Sequence, residues 1–503
     1  MHPPTDPLLF LPAHELQRKL THNEITSVQL VEAFLAEIEH HNHQGRGLHA
    51  IISTCPKDIA LTRARWLDEQ RRLGYVQSKL HGIPVVVKDA IVTDESLGMP
   101  TTVGSHVFAS LKARRNASVI TKLIDAGMII LAKANMTEFC GLKSDTTAVG
   151  WSAQGGQTLS PYRQEGLNED EQPTPGGSSS GSAVSIAAGF APLAIGTETA
   201  GSNVYPASVN GLYGMKITPA STALDGVFKL SSSFDGVGVM ARDPYDLAAL
   251  TEVLLAPQAF DRIPREGYNS IMGTSWTGLR LGVVGIKWGI DDGISKGKWD
   301  LPDVKATYEA ATEKIKAHGA RLVYPLQIPE AKILKHDGHG IREVANCEFP
   351  GQVQDFLLNF WPDPQLQTLE DIIEWNKKHD ETERLKHLHI AGTTQTEVIA
   401  SLKSTMSPES YASAISQLRR LASVDGMEKW MEEHSIDIVL GPSDSTLVSF
   451  AACAGWPIAT MPLGKLKKNG QPYGFFALAR SGCEDILLHL MSAFYRTFSE
   501  NGK

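Results

Sequence analysis

The 503-residue sequence predicts an α/β fold: one large domain in which a β-sheet carries helices on its faces. Three observations lead there. Short β-branched runs alternate with stretches of helical periodicity, glycines punctuate their ends, and no linker-like change of composition divides the chain. The length exceeds the usual single-core size, so two domains are the alternative.

Taken in order, residues 1–75 read as a helical segment. Ser27 is expected to cap a helix in which Val31, Phe34, Leu35 and Ile38 recur at helical spacing. A second helix over Asp58–Leu73 stops at Gly74. Residues 80–250 form the core. Ile83-Pro84-Val85-Val86-Val87 reads as a buried strand ending at Lys88. A helix over Ala117–Ala126 ends at Gly127 and leads into the strand Met128–Ala132. From Gly141 to Gly181 the chain is rich in Gly, Ser, Thr, Gln and Pro, a length of loop that is usually functional or disordered. A small-residue helix (Ser182–Gly189), a strand (Ala191–Thr197) and a tight turn (Glu198–Asn203) follow. Residues 250–435 make a third stretch: strand Leu281–Ile286, helix Pro302–His318, strand Ala320–Tyr324, then mostly helix from about 325. The last segment, 436–503, has a strand at Ile436–Leu440, stopped by Gly441-Pro442, and a closing helix from Glu484 to Phe498.

Composition narrows the function classes. With 42% hydrophobic and 20% charged residues the chain can bury a large core. A formal net charge of −9 and the lack of a basic cluster argue against nucleic acid or an anionic membrane surface as partner. Cys55, Cys140, Cys347, Cys453 and Cys483 are scattered and form no CxxC pair, so buried free thiols are expected. His40, His41, His43, His336 and His339 have no Cys or carboxylate set to complete a metal site, and no metal is expected. The N-terminus lacks a basic region followed by an apolar run, and no stretch reaches the ~18 apolar residues of a membrane span. A cytoplasmic protein is the expectation.

Three residues stand out chemically. A helix of ten residues spans ~15 Å and a strand of six or seven ~20 Å, so a helix starting near Ser180 runs out and the next strand runs back. The turn holding Ser202 then returns to the end where Ser178 sits, and Lys88 ends its own strand at that carboxyl edge, where open α/β sheets bind ligands. A serine hydroxyl needs a base to become a nucleophile, and Ser-Lys is one recognised arrangement. Lysine is a base only when neutral, which burial beside Val85, Val86 and Val87 would favour. The backbone N–H groups of Thr199, Ala200, Gly201 and Ser202 could cradle an oxyanion, each donor being worth about 3 kcal/mol. Singly, each residue has a plainer reading: Lys88 a solvated strand end, Ser178 a helix N-cap, Ser202 a turn serine. Gly177-Ser178-Ser179-Ser180-Gly181 also fits G-x-S-x-G, with Ser179 as nucleophile. That motif needs a strand before it, and Gln172-Pro173-Thr174-Pro175 supplies none.

The stretch PGGSSSGSAVSIAAGFAPLAIGTETAGSNVYPASVNGLYGMKIT resembles the Gly/Ser-rich signature of the amidase signature family. LHGIPVVVKDAI, TTVGS, AKANMTEF, GVGVMARDPYDLAAL, IVLGPSDS, AGWPIATMPLG and QPYGFFALAR match in order and spacing, densely over about 80–250 and 436–497. The resemblance implies a single domain with a large mixed, mostly central sheet covered by helices on both faces. It implies Lys88 as base, Ser178 (in cis conformation) as bridging serine and Ser202 as nucleophile that forms an acyl-enzyme, with no metal or cofactor. A small-molecule amide is the implied substrate; a monomer or a homodimer is expected. Met136 and the Gly441–Ser445 turn, Ser443 included, are candidate pocket walls.

The match has departures. The usual GTDTGGSIR is here Gly196-Thr197-Glu198-Thr199-Ala200-Gly201-Ser202-Asn203-Val204. Ala200 would cost on the order of 1 kcal/mol if its position needs positive φ. Val204 for arginine and Glu198 for aspartate imply that a charged contact beneath the loop is rebuilt or lost. Ser180 and Ala90 also differ from the commonest pattern, and the surroundings are unlike those of the tRNA-dependent amidotransferases. Amide hydrolysis is the leading reading; acyl or ammonia transfer on the same triad, and a non-catalytic scaffold, are the alternatives.

Overall fold

The computed structural model describes residues 6–290, 302–379 and 394–498. Its strands are β1 (Ile51–Thr54), β2 (Pro84–Lys88), β3 (Ile129–Ala134), β4 (Trp151–Ser152), β5 (Gly156–Gln157), β6 (Leu193–Glu198), β7 (Tyr213–Lys216), β8 (Gly236–Ala241), β9 (Arg280–Val284), β10 (Arg321–Leu326), β11 (Ile438–Pro442), β12 (Ile458–Lys465) and β13 (Pro472–Ala479). Among the described residues, eleven of them form one sheet in the order β1-β3-β2-β6-β8-β7-β12-β13-β11-β9-β10, and β4 pairs with β5 alone. The sheet is mixed. β3-β2-β6 and β11-β9-β10 run parallel, and antiparallel pairs join and flank these groups.

Sequence pattern explains where the site lies. Every residue of β2, β3 and β6 is buried, as expected of parallel strands covered on both faces. The helix Ser180–Ala188 packs on these three strands and is made of small residues for a reason. A Cβ on Gly181 would stand 2.2 Å from the Ala50 carbonyl oxygen and 2.5 Å from the Asn135 nitrogen. Gly189 ends the helix in the left-handed conformation (φ +84°) and turns the chain back into β6.

The structure departs from the sequence expectations at several places. Thr26, not Ser27, caps the helix Ser27–His41, because its hydroxyl and the Gln29 side chain form a reciprocal capping box. Residues 51–54 form an edge strand inside the segment read as helical. Strand β11 runs through Gly441-Pro442 instead of stopping there. β9 pairs only with Ile438–Leu440, so the missing Pro442 N–H interrupts no ladder on that side. Residues 325–435 are mostly helical where described, with 380–393 outside the described residues. All five cysteines are free, but only Cys55 and Cys453 are buried; Cys140, Cys347 and Cys483 are partly exposed. No helix among the described residues is long and apolar enough to cross a membrane.

Candidate active site

Lys88 ends β2 with its side chain wholly buried, so it is not a solvated strand end. Its Nζ lies 2.8 Å from Ser178 Oγ, 2.9 Å from Thr197 Oγ1 and 3.4 Å from the Thr197 carbonyl oxygen. Burial pushes the Lys88 ammonium below its ordinary value, against the opposing pull of Cys140, Asp235 and Glu198. Thr197 was not singled out in the sequence. Its place, next to last in β6 and one strand over from Lys88, is the signal that could have marked it.

Ser178 follows a cis peptide bond from Gly177 and is buried. It is not the cap of the following helix; that position belongs to Ser179. Thr137 N–H donates to the Ser178 carbonyl at 3.0 Å, so the exit of β3 holds the serine from one side. Ser179 staples the other side. Its N–H donates to the Ser202 carbonyl at 3.0 Å, and its hydroxyl donates to the Thr197 carbonyl at 3.2 Å. No strand precedes Ser179, and its hydroxyl is fully buried in these bonds, so the G-x-S-x-G reading fails. Ser202, partly exposed, thus sits at the same end of the sheet as Ser178 and Lys88.

The turn after β6 is built on three charged groups. The left-handed residue is Gly201 (φ +88°), not Ala200, so the alanine carries no conformational penalty of that kind. Glu198 Oε2 accepts from the N–H groups of Asn203 and Val204, both at 2.9 Å, and so caps the helix Val204–Val209. Lys216 donates to the carbonyls of Thr199 (2.8 Å) and Phe234 (2.7 Å), and Thr199 Oγ1 donates to Asp235 at 2.6 Å. Burial drives the Lys216 ammonium down and the Asp235 carboxyl up. Charged groups therefore do lie beneath the loop, Lys216 at the end of β7 and Asp235 just before β8, while Val204 is a buried apolar residue. None of the hydrogen bonds among the described residues uses the N–H of Thr199, Ala200, Gly201 or Ser202.

The candidate pocket walls are placed unequally. Met136 is fully buried on the exit of β3, next to the Thr137 that holds Ser178. Ser443 is buried too, but its Oγ accepts from Ser208 Oγ (2.6 Å) and Gly474 N–H (3.0 Å), contacts that join scaffold elements.

Residues 29–488 match the family model described as Amidase. A probable amidase of Arabidopsis thaliana is 30% identical over 483 residues, covering 93% of this chain and 86% of the relative. The native peptide amidase from Stenotrophomonas maltophilia has a similar structure, with a TM-score of 0.84 at 29% identity and 97% of both chains covered. A glutamyl-tRNA(Gln) amidotransferase chain of Chloroflexus aggregans is 33% identical over only 65% of this chain and 62% of its own length. Full-length likeness thus lies with stand-alone amidases, and the chain belongs to the amidase family.

Proposed function

We propose that this protein hydrolyses a carboxylic acid amide through an acyl-enzyme on Ser202, with Ser178 as proton relay and Lys88 as base. The observation that carries the reading is the set of partners around Lys88 Nζ. A neutral amine has two N–H donors and one lone pair. The two N–H groups suit Thr197 Oγ1 and the Thr197 carbonyl, and the lone pair faces the Ser178 hydroxyl at 2.8 Å. A base so held can take the proton of Ser178 as Ser178 takes that of Ser202. Ser202 then attacks the carbonyl, the free N–H groups of the turn meet the oxyanion, and the relay returns a proton to the leaving nitrogen. Water ends the cycle by hydrolysing the acyl-enzyme.

Family membership and the full-length likeness to a peptide amidase support amide hydrolysis and, within it, a small peptide-like or other carboxamide substrate. The test is an amide library assayed with mass detection of the acyl-Ser202 adduct. An adduct that is absent from Ser202→Ala supports the reading, whereas turnover retained in that variant defeats it. Added amine nucleophile tests acyl transfer: amide exchange in place of free acid would favour a transferase.

A further inference from the structure

The loop Leu230–Asp235 stands between the turn that bears Ser202 and the helices Ile341–Leu357 and Pro408–Ala422. On the turn side, Asp235 takes the Thr199 hydroxyl at 2.6 Å, and Lys216 ties the Phe234 carbonyl (2.7 Å) to that of Thr199 (2.8 Å). Within the loop, Leu230 N–H donates to Asp235 Oδ2 at 2.7 Å and Asp235 N–H donates to the Ser231 carbonyl at 3.1 Å. On the far side, Glu348 of the helix Ile341–Leu357 gathers four donors. Ser231 Oγ and Ser233 N–H (3.3 Å) reach Oε2; Ser233 Oγ and Tyr411 OH (2.5 Å) reach Oε1. Arg419 adds a bond to the Ser233 carbonyl. Four donors fill the roughly four lone-pair sites of a carboxylate. None of them belongs to Lys88, Ser178 or Ser202.

We propose that Glu348 is a positioning residue for the reaction on Ser202. It acts through Ser231 and Ser233, which fix the loop, and through Asp235, which fixes Thr199 at the head of the donor turn. The inference rests on the acyl-enzyme reading above, since only a developing oxyanion makes the aim of that turn matter. Oxyanion donors and the attacking oxygen must be held within about 0.5 Å, and a misplacement of about 1 Å can cost 10²-fold in rate.

Glu348→Gln keeps the shape and replaces one acceptor oxygen by an NH2 group facing hydroxyl donors. In this variant kcat on a small amide, and the rate at which a serine phosphonate labels Ser202, are expected to fall together by ~10- to 100-fold. KM should move by less than about threefold, because uniform binding is untouched. Ser233→Ala should lower kcat in the same sense, and combining it with Glu348→Gln should add little, since both break one linkage. Unchanged kcat and labelling in folded Glu348→Gln, or a rise in KM alone, overturns the proposal. If that variant does not fold, Tyr411→Phe, which removes one donor from the outer side, is read by the same two rates. Ser202→Ala in the same series separates the two failures. If it keeps turnover, the reaction reading and this inference fall together; if it is dead while Glu348→Gln and Tyr411→Phe match wild type, only the positioning role falls.

Discussion

At the scale of single residues, Lys88 governs the expected behaviour. In the proposed reaction its neutral form is the base, and burial has moved its pKa down, so kcat/KM should rise with pH along a limb whose midpoint lies below the ordinary lysine value. Lys88→Arg should abolish turnover and the limb with it, because a guanidinium does not deprotonate; a pH–rate profile checks both. Ser202→Ala should lower turnover by about 10⁴-fold or more. Ala200→Gly should matter little: the strained φ belongs to Gly201, so turnover should stay within about threefold, under ~0.7 kcal/mol of barrier. What the sequence could offer here was identity without environment. Lys88, Ser178 and Ser202 could be named from motif spacing, but the buried setting of Lys88 depends on Ser178 and Thr197, about a hundred residues on, meeting its Nζ. Lys216 and Asp235 escaped notice because their partners lie far along the chain, where spacing carries no signal, and Thr197 could have been marked only by its place on the strand beside that of Lys88.

At the scale of elements, the buried pair Asp89–Lys133 (3.6 Å) ties the end of β2 to β3 and to the loop at 101–105. Asp89 accepts from the N–H groups of Thr102 (3.0 Å) and Gly104 (3.2 Å), and Lys133 donates to Thr101 Oγ1 at 2.9 Å. Lys133→Met leaves the carboxylate buried without its counter-charge and should cost about 3–5 kcal/mol in urea unfolding. Adding Asp89→Asn should recover part of that loss. Gly181→Ala should also be severe, since its Cβ would meet backbone atoms of two neighbouring segments. Elements with strong local signals were legible to within a few residues, as the closing helix Glu484–Phe498 and the helix over Lys57–Arg72 illustrate. Strand β1 was not. Four residues carry too little periodicity to outweigh the helices on either side.

At the scale of the whole molecule, the N-terminal segment is held by a histidine clasp. His14 Nδ1 lies 3.1 Å from Asp246 and 3.4 Å from Asp243, while Asp246 also accepts the His14 N–H at 2.8 Å. Burial alone would depress the imidazole, but the hydrogen bonds and charge of the two carboxylates prevail and raise it to about 10. Asp246, pushed up to about 6 by burial and by Asp243, is ionised above that pH. A raised imidazole stabilises fully below its unfolded value near 6.5 and loses that contribution as pH climbs through about 10. The melting-temperature gap between wild type and His14→Gln should therefore be widest near neutrality and close on going to pH 10 and above. The α/β class was readable from alternation, whereas the order of eleven strands was not, because pairing across hundreds of residues leaves no local trace.

That strand order has a consequence of its own. Every sheet strand before residue 242 lies on one side of the β7–β12 ladder, and every strand after residue 279 lies on the other. Among the described residues, the sheet itself is joined there by three residue pairs, Gly214 to Lys216 against Ile458 to Thr460. The front half bears Lys88, Ser178 and Ser202, and the back half sets Glu348, Tyr411 and Arg419 against the front half's loop Leu230–Asp235. A back half exchanged for another would have to keep those contacts to leave the loop beside Thr199 where it is.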